Sequence, residues 1–123
     1  MKDIKYLGVP NVCFSLTNKD DDREEKFSKQ RIERGFDDSE TWSLRDTIAN
    51  FILPRLKAFN EITFSRPADL EDISEWNDIL NKMCKSFEYV ARDKGMFILT
   101  DEEYEEYKEG MELFKKYFLD LWW

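Results

Sequence analysis

The stretch WSLRDTIANFILPRLKAF, residues 42–59, decides how the fold of this 123-residue chain is understood. Its apolar residues recur at helical spacing, which predicts a helix that starts at Ser43 with Asp46 as a capping-box-like partner. Pro54 removes a backbone donor, leaves the carbonyl of Asn50 without one, and costs roughly 3 kcal/mol in a helix interior. We therefore predict a bend or a break near Pro54. The predicted buried stripe consists of Leu44, Ile48, Phe51, Ile52, Leu56 and Phe59.

A second helix is predicted from apolar residues that recur at alternating intervals of three and four, the pattern of one buried helical face. Asp69 or Asp72 can cap its start, and Gly95 can end it in a left-handed turn. The stripe consists of Ile73, Trp76, Leu80, Met83, Phe87 and Val90.

A third helix is predicted to start at Thr100, which forms a capping box with Glu103. Gly110 lies near the middle of this helix, and close approach of a neighbouring helix would compensate for its low helix propensity. The matching stripes and the short link predict that the second and third helices form an antiparallel hairpin. The third stripe consists of Tyr104, Tyr107, Met111, Phe114, Phe118 and Leu121.

The N-terminal region is predicted to form β-strands rather than helices. Val12–Thr17 is rich in strand formers and predicts a β-strand, with Lys26–Phe36 as its partner and the polar run Asn18–Glu25 as the hairpin tip. A helix over the second stretch stays open, because its apolar residues also lie near helical spacing.

Composition indicates one packed domain, because 10 Phe, 5 Tyr and 4 Trp are many for this length and each buries roughly 150–250 Å². We predict an α-rich α+β fold over residues 1–123. A β or irregular region, residues 1–40, supplies an N-terminal β-hairpin. It packs on three helices in residues 41–123, of which the first is bent near Pro54.

Charge and the apolar runs exclude several classes. The net charge of −8 argues against a protein that coats nucleic-acid phosphates, which would need a basic face. The longest apolar runs fall far short of a membrane span, and the start has no leader pattern, so we expect a cytoplasmic protein. Cys13 and Cys84 are far apart, which favours two free thiols in a reducing compartment over a disulfide.

The sequence gives little support for a catalytic site or a metal site. The chain has no histidine, the commonest general base and metal ligand, and its four glycines stand singly rather than in a phosphate loop. The acidic run Asp20–Glu25 could hold calcium but lacks the central glycine of such loops, so a solvated loop is the expected form. We predict no enzyme activity, no cofactor and no metal site.

A ligand site is suggested by basic residues that concentrate around a tryptophan in an otherwise acidic chain. The predicted contacts to a phosphorylated small molecule are Trp42, Arg45 and Arg55, with Arg34 or Lys57 assisting. Arginine pairs with phosphate in bidentate fashion, and an aromatic plate stacks on a base. Ordinary surface arginines beside a core tryptophan remain the alternative.

The C-terminus is unusually aromatic. Phe118, Leu121, Trp122 and Trp123 suggest docking, because a chain end otherwise frays. Two forms of docking are open: packing on the protein's own N-terminal region, or a subunit interface in a homo-oligomer. The acidic face of the third helix could also meet a basic host protein.

Three stretches resemble a family of small, mostly uncharacterised proteins encoded by tailed bacteriophages and prophages. The first is WSLRDTIANFILPRLKAF, residues 42–59, the second is EWNDILNKMCKSFE, residues 75–88, and the third is EGMELFKKYFLDLW, residues 109–122. Members often carry an acid where Arg45 stands, so a role for Arg45 is the least transferable. The resemblance implies phage origin and an α-helical module, and it supplies no catalytic residues.

Together these observations predict a non-enzymatic, phage-encoded binding protein that acts in the cytoplasm of the infected bacterium. It would antagonise a host defence by sequestering a nucleotide signal or a host protein. The alternative is a structural component of the virion or of its assembly.

Overall fold

The structure, a computed structural model, describes residues 10–91 and 98–122, and in these residues it is helical without a β-strand. The elements are α1 (Glu24–Arg34), α2 (Leu44–Ile62), α3 (Ile73–Ala91) and α4 (Asp101–Tyr117), with short 3-10 helices at Asp38–Thr41 and Phe118–Asp120. The chain divides into two compact units, Met1–Phe51 and Ile52–Trp123. The single-domain organisation stays a prediction.

The predicted N-terminal β-hairpin, and with it the α+β class, is wrong, because α1 occupies most of the second predicted strand. Glu24 and Glu25 lie in the first turn of α1, and Arg31 and Arg34 lie in its last turn. This order of charge stabilises a helix through its dipole. Gly35 ends the helix at a φ of 87° and donates its N–H to the carbonyl of Arg31, a left-handed cap that glycine adopts without strain.

The first predicted strand, Val12–Thr17, has no regular secondary structure. Two of its backbone N–H groups donate to side chains of the 3-10 helix Asp38–Thr41. The N–H of Phe14 donates to Glu40 Oε1 at 2.9 Å, and the N–H of Leu16 donates to Ser39 Oγ at 2.8 Å. The backbone N–H groups of Phe14 and Leu16 are therefore hydrogen-bonded without a β-sheet.

Helix α2 begins directly after Ser43, as predicted, and Ser43 Oγ donates to Asp46 Oδ2 at 2.6 Å. The helix is continuous with Pro54 inside it, so the predicted break is wrong, and the bend stays a prediction. The Asn50 carbonyl, for which Pro54 has no N–H, accepts from Asn11 Nδ2 at 3.0 Å. This side-chain donor supplies the bond that the proline removes, which helps the helix to continue.

Helix α3 confirms most of its predicted stripe: Trp76, Leu80, Met83, Phe87 and Val90 are buried, whereas Ile73 is 37% exposed. Of the two candidate caps, Asp72 accepts from the N–H of Glu75 at 2.9 Å. Asp69 instead accepts from the hydroxyl of Tyr117 at 3.0 Å. The predicted end at Gly95 lies outside the described residues.

Helices α3 and α4 form the predicted antiparallel hairpin. Their contacts pair Lys82 with Glu109, Ser86 with Tyr107 and Tyr89 with Glu106, so the numbering falls on α4 as it rises on α3. The two helices approach closely at Gly110, where an added Cβ would lie 1.9 Å from Ser86 Oγ and 2.3 Å from the Lys82 carbonyl oxygen. The predicted role of Gly110 is confirmed.

The start of α4 is also confirmed, because Thr100 and Glu103 form the full capping box. Its buried face is rotated from the prediction, however. Gly110 and Tyr117 are the buried residues of α4, while Tyr104 is 50% and Phe118 57% exposed. The predicted burial of these last two is therefore wrong: the helix packs on α3 through the side that carries the glycine.

Candidate functional site

An apolar groove of about 380 Å³ lies within the first unit. Its volume falls in the range of roughly 300–1,000 Å³ typical of ligand sites. Its apolar lining comes from the segment before α1, the turn after α1 and the first half of α2: Val12, Phe14, Phe36, Leu44, Ile48 and Phe51. The remaining lining residues are Gly35, Glu40, Thr41 and Thr47.

The α2 residues of the groove are half exposed rather than buried. Leu44, Ile48 and Phe51 retain 53%, 51% and 45% of their surface, so their predicted place in a buried stripe is wrong. Leu56, from the same stripe, is 3% exposed, as predicted. Large apolar side chains gathered in a concave surface are typical of a binding site.

A buried polar cluster holds the wall that Phe14 contributes to the groove. Asp37, Ser39 and Glu40 are 0%, 0% and 4% exposed. Asp37 Oδ2 accepts from Ser15 Oγ at 2.6 Å, next to the bond from the Phe14 N–H to Glu40. Glu40 Oε2 also accepts from the N–H of Asp37 at 2.7 Å. The cluster thereby fixes a segment that has no secondary structure of its own.

The carboxylate of Asp37 stays ionised in this cluster. Burial raises its pKa, but hydrogen bonds from Ser15, Ser39 and Arg31 outweigh burial and hold the pKa at about 2. Arg31 bridges Asp37 and Glu24, and these two carboxylates raise the pKa of its guanidinium. Asp37 accepts on both oxygens, from Ser15 Oγ and from Ser39 Oγ, and so anchors the segment before α1 to the 3-10 helix.

Sequence reasoning did not identify Asp37, Ser39, Glu40 or Phe36 as site residues. A signal existed for the acids: Asp37 and Glu40 are three apart and form a capping box at the 3-10 helix Asp38–Thr41. Nothing in the pattern indicated that the same acids would reach the segment before α1.

The predicted ligand residues of the first unit have local partners. The Trp42 ring, in a residue that is 51% exposed, lies 4.7 Å from the guanidinium of Arg23 and 6.1 Å from the Phe27 ring. Arg34 donates to Asp38 at 2.7 Å and to the Phe36 carbonyl at 2.9 Å.

The other three predicted ligand residues lie on α2. Arg45 Nε lies 3.6 Å from Asp46 Oδ1, and Lys57 Nζ lies 3.0 Å from Glu88 Oε1. Arg55 is exposed directly after Pro54. Arg55 and Lys57 belong to the second unit, the other three residues belong to the first, and none of the five lines the groove. A phosphate group would have to compete with carboxylates at Arg34, Arg45 and Lys57.

The predicted interface residues end the second unit. Phe118 is 57% and Trp122 72% exposed, Leu121 is half-buried, and Trp123 lies outside the described residues. Their neighbour Leu119, which was not predicted, is 86% exposed.

The described residues contain two free cysteines and no group of three possible metal ligands. Cys13 and Cys84 are free thiols, as predicted, and burial raises the pKa of Cys84 to about 11, which suppresses its thiolate. Within residues 10–91 and 98–122, no three side chains of the His, Cys, Asp and Glu type gather where a metal ion could bind.

No family model, curated protein or solved structure matches this chain. The resemblance to phage proteins therefore stays a prediction. Among the described helices, none combines the length and the apolar character needed to cross a membrane.

Proposed function

We propose that this protein is a non-enzymatic binding protein that receives an apolar segment of a partner protein in the groove of its first unit. The observation that carries the proposal is the concave cluster of half-exposed Phe36, Leu44, Ile48 and Phe51. Isolated exposed apolar residues are ordinary on protein surfaces. A cluster of them in a groove that hydrogen bonds hold in place favours a binding role.

The chemistry of the lining favours an apolar segment over a phosphorylated ligand. Of the described residues, Glu40 is the one charged residue that lines the groove, and its carboxylate already accepts backbone N–H groups. Completing the burial of four half-exposed side chains contributes roughly 1 kcal/mol each. Because association itself costs several kcal/mol, we expect modest affinity unless flanking contacts add to it.

The phage origin that the resemblance implies supports a partner in the cytoplasm of the infected bacterium. The binding protein would sequester a host protein, for instance one that acts in defence against the phage. Sequestration of a nucleotide signal is the less supported form of this proposal, because Arg34, Arg45 and Lys57 lie beside acids. A virion or assembly component is the alternative, and mass spectrometry of purified virions separates it from an effector.

Two matched variants test the groove. Ile48→Glu places a charge in the groove, whereas Ile32→Glu places the same charge on α1 at a position that is 82% exposed and outside the groove. An anilinonaphthalene sulfonate dye serves as the apolar probe. We expect Ile48→Glu to lower the dye fluorescence, because the groove is one of the apolar surfaces that bind the dye, and Ile32→Glu to leave it at the wild-type level.

The same pair is then compared for capture of proteins from a bacterial extract. A partner that wild type and Ile32→Glu retain and Ile48→Glu loses would support the groove. Equal dye binding and equal capture by both variants would contradict the proposal.

Calorimetry with linear and cyclic nucleotides tests the nucleotide form separately, with Arg34→Ala and Arg55→Ala as variants. Loss of a charge-assisted contact costs roughly 1.5–3 kcal/mol. Nucleotide binding that weakens tenfold or more in these variants would replace the groove as the functional site.

A further inference from the structure

We propose that the apolar segment received in the groove carries a basic side chain, a lysine or an arginine, and that Glu40 binds it. This inference rests on the proposed function and names the chemistry of the partner at that same site.

The carboxylate of Glu40 brings a buried negative charge to the groove. Glu40 is 4% exposed and is the one charged residue among the described residues of the lining. Its Oε1 accepts the N–H of Phe14 at 2.9 Å, and its Oε2 accepts the N–H of Asp37 at 2.7 Å. A carboxylate has roughly four acceptor sites, so these two N–H groups leave capacity for a further donor.

A comparison with Asp37 shows what Glu40 lacks. The two carboxylates are buried in the same polar cluster, but Asp37 pairs with the guanidinium of Arg31. Within residues 10–91 and 98–122, the donors to Glu40 are the two uncharged backbone N–H groups. Buried charges in proteins are usually paired with an opposite charge. Glu40 is therefore the carboxylate of this cluster that a cation from a partner can complement.

The charge balance of the cluster also favours a cation. Arg31 contacts both Asp37 and Glu24, so two carboxylates share its single positive charge. With Glu40 the cluster carries three negative charges and one positive, a net charge of −2. A positively charged group is attracted to this site, whereas a phosphate or a carboxylate is repelled. Two further arginines of the first unit lie beside acids of their own, Arg34 with Asp38 and Arg45 with Asp46.

The apolar lining favours a cation that belongs to an apolar segment. Leu44, Ile48 and Phe51 offer half-exposed surface in the same groove. The methylene stem of a lysine or an arginine can lie along such a surface while its charged head reaches a carboxylate. A segment that covers the groove also excludes water, which strengthens a charge-assisted hydrogen bond to Glu40.

Three naphthalene probes that differ in charge test this preference: 2-naphthylmethylammonium, the neutral 2-naphthylmethanol and the anion 2-naphthoate. The amide resonances of Phe14 and Thr47 in nitrogen-15 NMR spectra follow each titration. Because the Phe14 N–H is bonded to Glu40 Oε1, its shift reports binding at the carboxylate. We expect the ammonium to bind roughly tenfold more tightly than the alcohol, and the naphthoate to bind more weakly than the alcohol. Added salt should narrow these differences.

Two matched variants assign the preference to Glu40. Glu40→Gln and Glu33→Gln each replace one acid by its amide and change the net charge equally, but Glu33 is exposed on α1 and does not line the groove. We expect Glu40→Gln to reduce the affinity for the ammonium to that for the alcohol, and Glu33→Gln to keep the wild-type preference. Circular dichroism checks folding, and the comparison of the three probes on the wild type needs no variant.

The outcomes separate this inference from the proposed function. Binding of the alcohol to the wild type, and its loss in Ile48→Glu, would support the groove by itself. If the ammonium then bound no more tightly than the alcohol, or kept its advantage in Glu40→Gln, the role of Glu40 would be overturned while the groove remained. If none of the three probes shifted the resonances of Phe14 and Thr47, the groove and its charge preference would both be overturned.

Discussion

Replacement of Gly110 by alanine tests the packing of α3 on α4, because two effects of opposite sign compete there. Alanine raises helix propensity by roughly 1 kcal/mol, so an isolated α4 would become more stable. In the folded protein, however, the added Cβ would lie 2.3 Å from the Lys82 carbonyl oxygen and 1.9 Å from Ser86 Oγ. Both distances are far inside an ordinary van der Waals contact.

The clash should outweigh the propensity. Ser86 can rotate its hydroxyl, but the Lys82 oxygen belongs to the backbone of α3 and moves only with the helix. Restoring ordinary contact requires the two helices to separate by roughly 1 Å, and overpacking of this kind costs roughly 1–3 kcal/mol. Separation also stretches the hydrogen bond from Ser86 Oγ to the Tyr107 carbonyl, which is 2.8 Å long. A clash of roughly 2 kcal/mol and a weakened hydrogen bond of roughly 1 kcal/mol, set against the propensity gain of roughly 1 kcal/mol, predict a net loss of roughly 2 kcal/mol in the free energy of unfolding.

Urea denaturation followed by helical circular dichroism measures this change, and the midpoint should fall by roughly 1 M. The comparison is repeated in a Ser86→Ala background, which removes the nearer contact and leaves the backbone oxygen. We expect Gly110→Ala to remain destabilising there, by a smaller amount. If Gly110→Ala were neutral or stabilising in either background, the close approach of α3 and α4 would be refuted.

Further substitutions test the caps and the buried carboxylate. Asn11→Ala should cost roughly 1 kcal/mol by removing the donor to the Asn50 carbonyl, and a Pro54→Ala background should reduce this cost, because that substitution restores the helical N–H; thermal unfolding of the four-member mutant cycle measures the coupling. Thr100→Ala should cost roughly 1 kcal/mol by removing the α4 cap, seen as a lower urea midpoint. The pKa of Asp37 is about 2 when folded, below its ordinary 3.8, so its ionisation stabilises the fold above pH 4, and this contribution is lost as pH falls towards 2. Asp37→Asn should therefore flatten stability over that range in acid-titrated unfolding curves, and an unchanged acid limb would contradict this.

The helices of the second unit were predictable because their signals are local. The stripe of α3 repeats at helical intervals over a whole helix, and Thr100 with Glu103 satisfies the first N–H groups of α4 by itself. The rotation of α4 was less accessible, because it depends on which side offers the closest approach. The side that packs on α3 is the one that carries Gly110, and this leaves Tyr104 and Phe118 exposed.

The N-terminal error arose from a local preference that tertiary contacts overrode. The strand propensity of Val12–Thr17 reflects how its side chains fit a half-buried surface rather than an obligation to form a sheet. Acceptors on Ser39 and Glu40 satisfied its backbone instead. For α1 the signal was present but outweighed: acids in the first turn, arginines in the last and Gly35 after them indicate a helix more strongly than loosely spaced aromatics indicate a strand.

The candidate site was the least predictable part, for an electrostatic reason. The chain has 27 acidic and 19 basic residues, so a group of arginines in its sequence meets carboxylates at short range. Arg34 finds Asp38 four positions away, and Arg45 lies beside Asp46. A cationic site for phosphate therefore requires basic side chains that outnumber the acids around them in space. The number of arginines in a stretch of sequence does not show this, because it leaves out the acids that the fold brings beside them.

The groove, in contrast to these local ion pairs, is formed by residues that are distant in the sequence. Val12, Phe36 and Ile48 come from three separate segments, and the side-chain bonds of the polar cluster around Asp37 bring the first of these segments against α2. For an apolar site assembled in this way, the signal in the sequence lies in the acids that position the lining segment, here Asp37 and Glu40. Buried capping residues that also reach a distant segment are therefore the positions to mutate first.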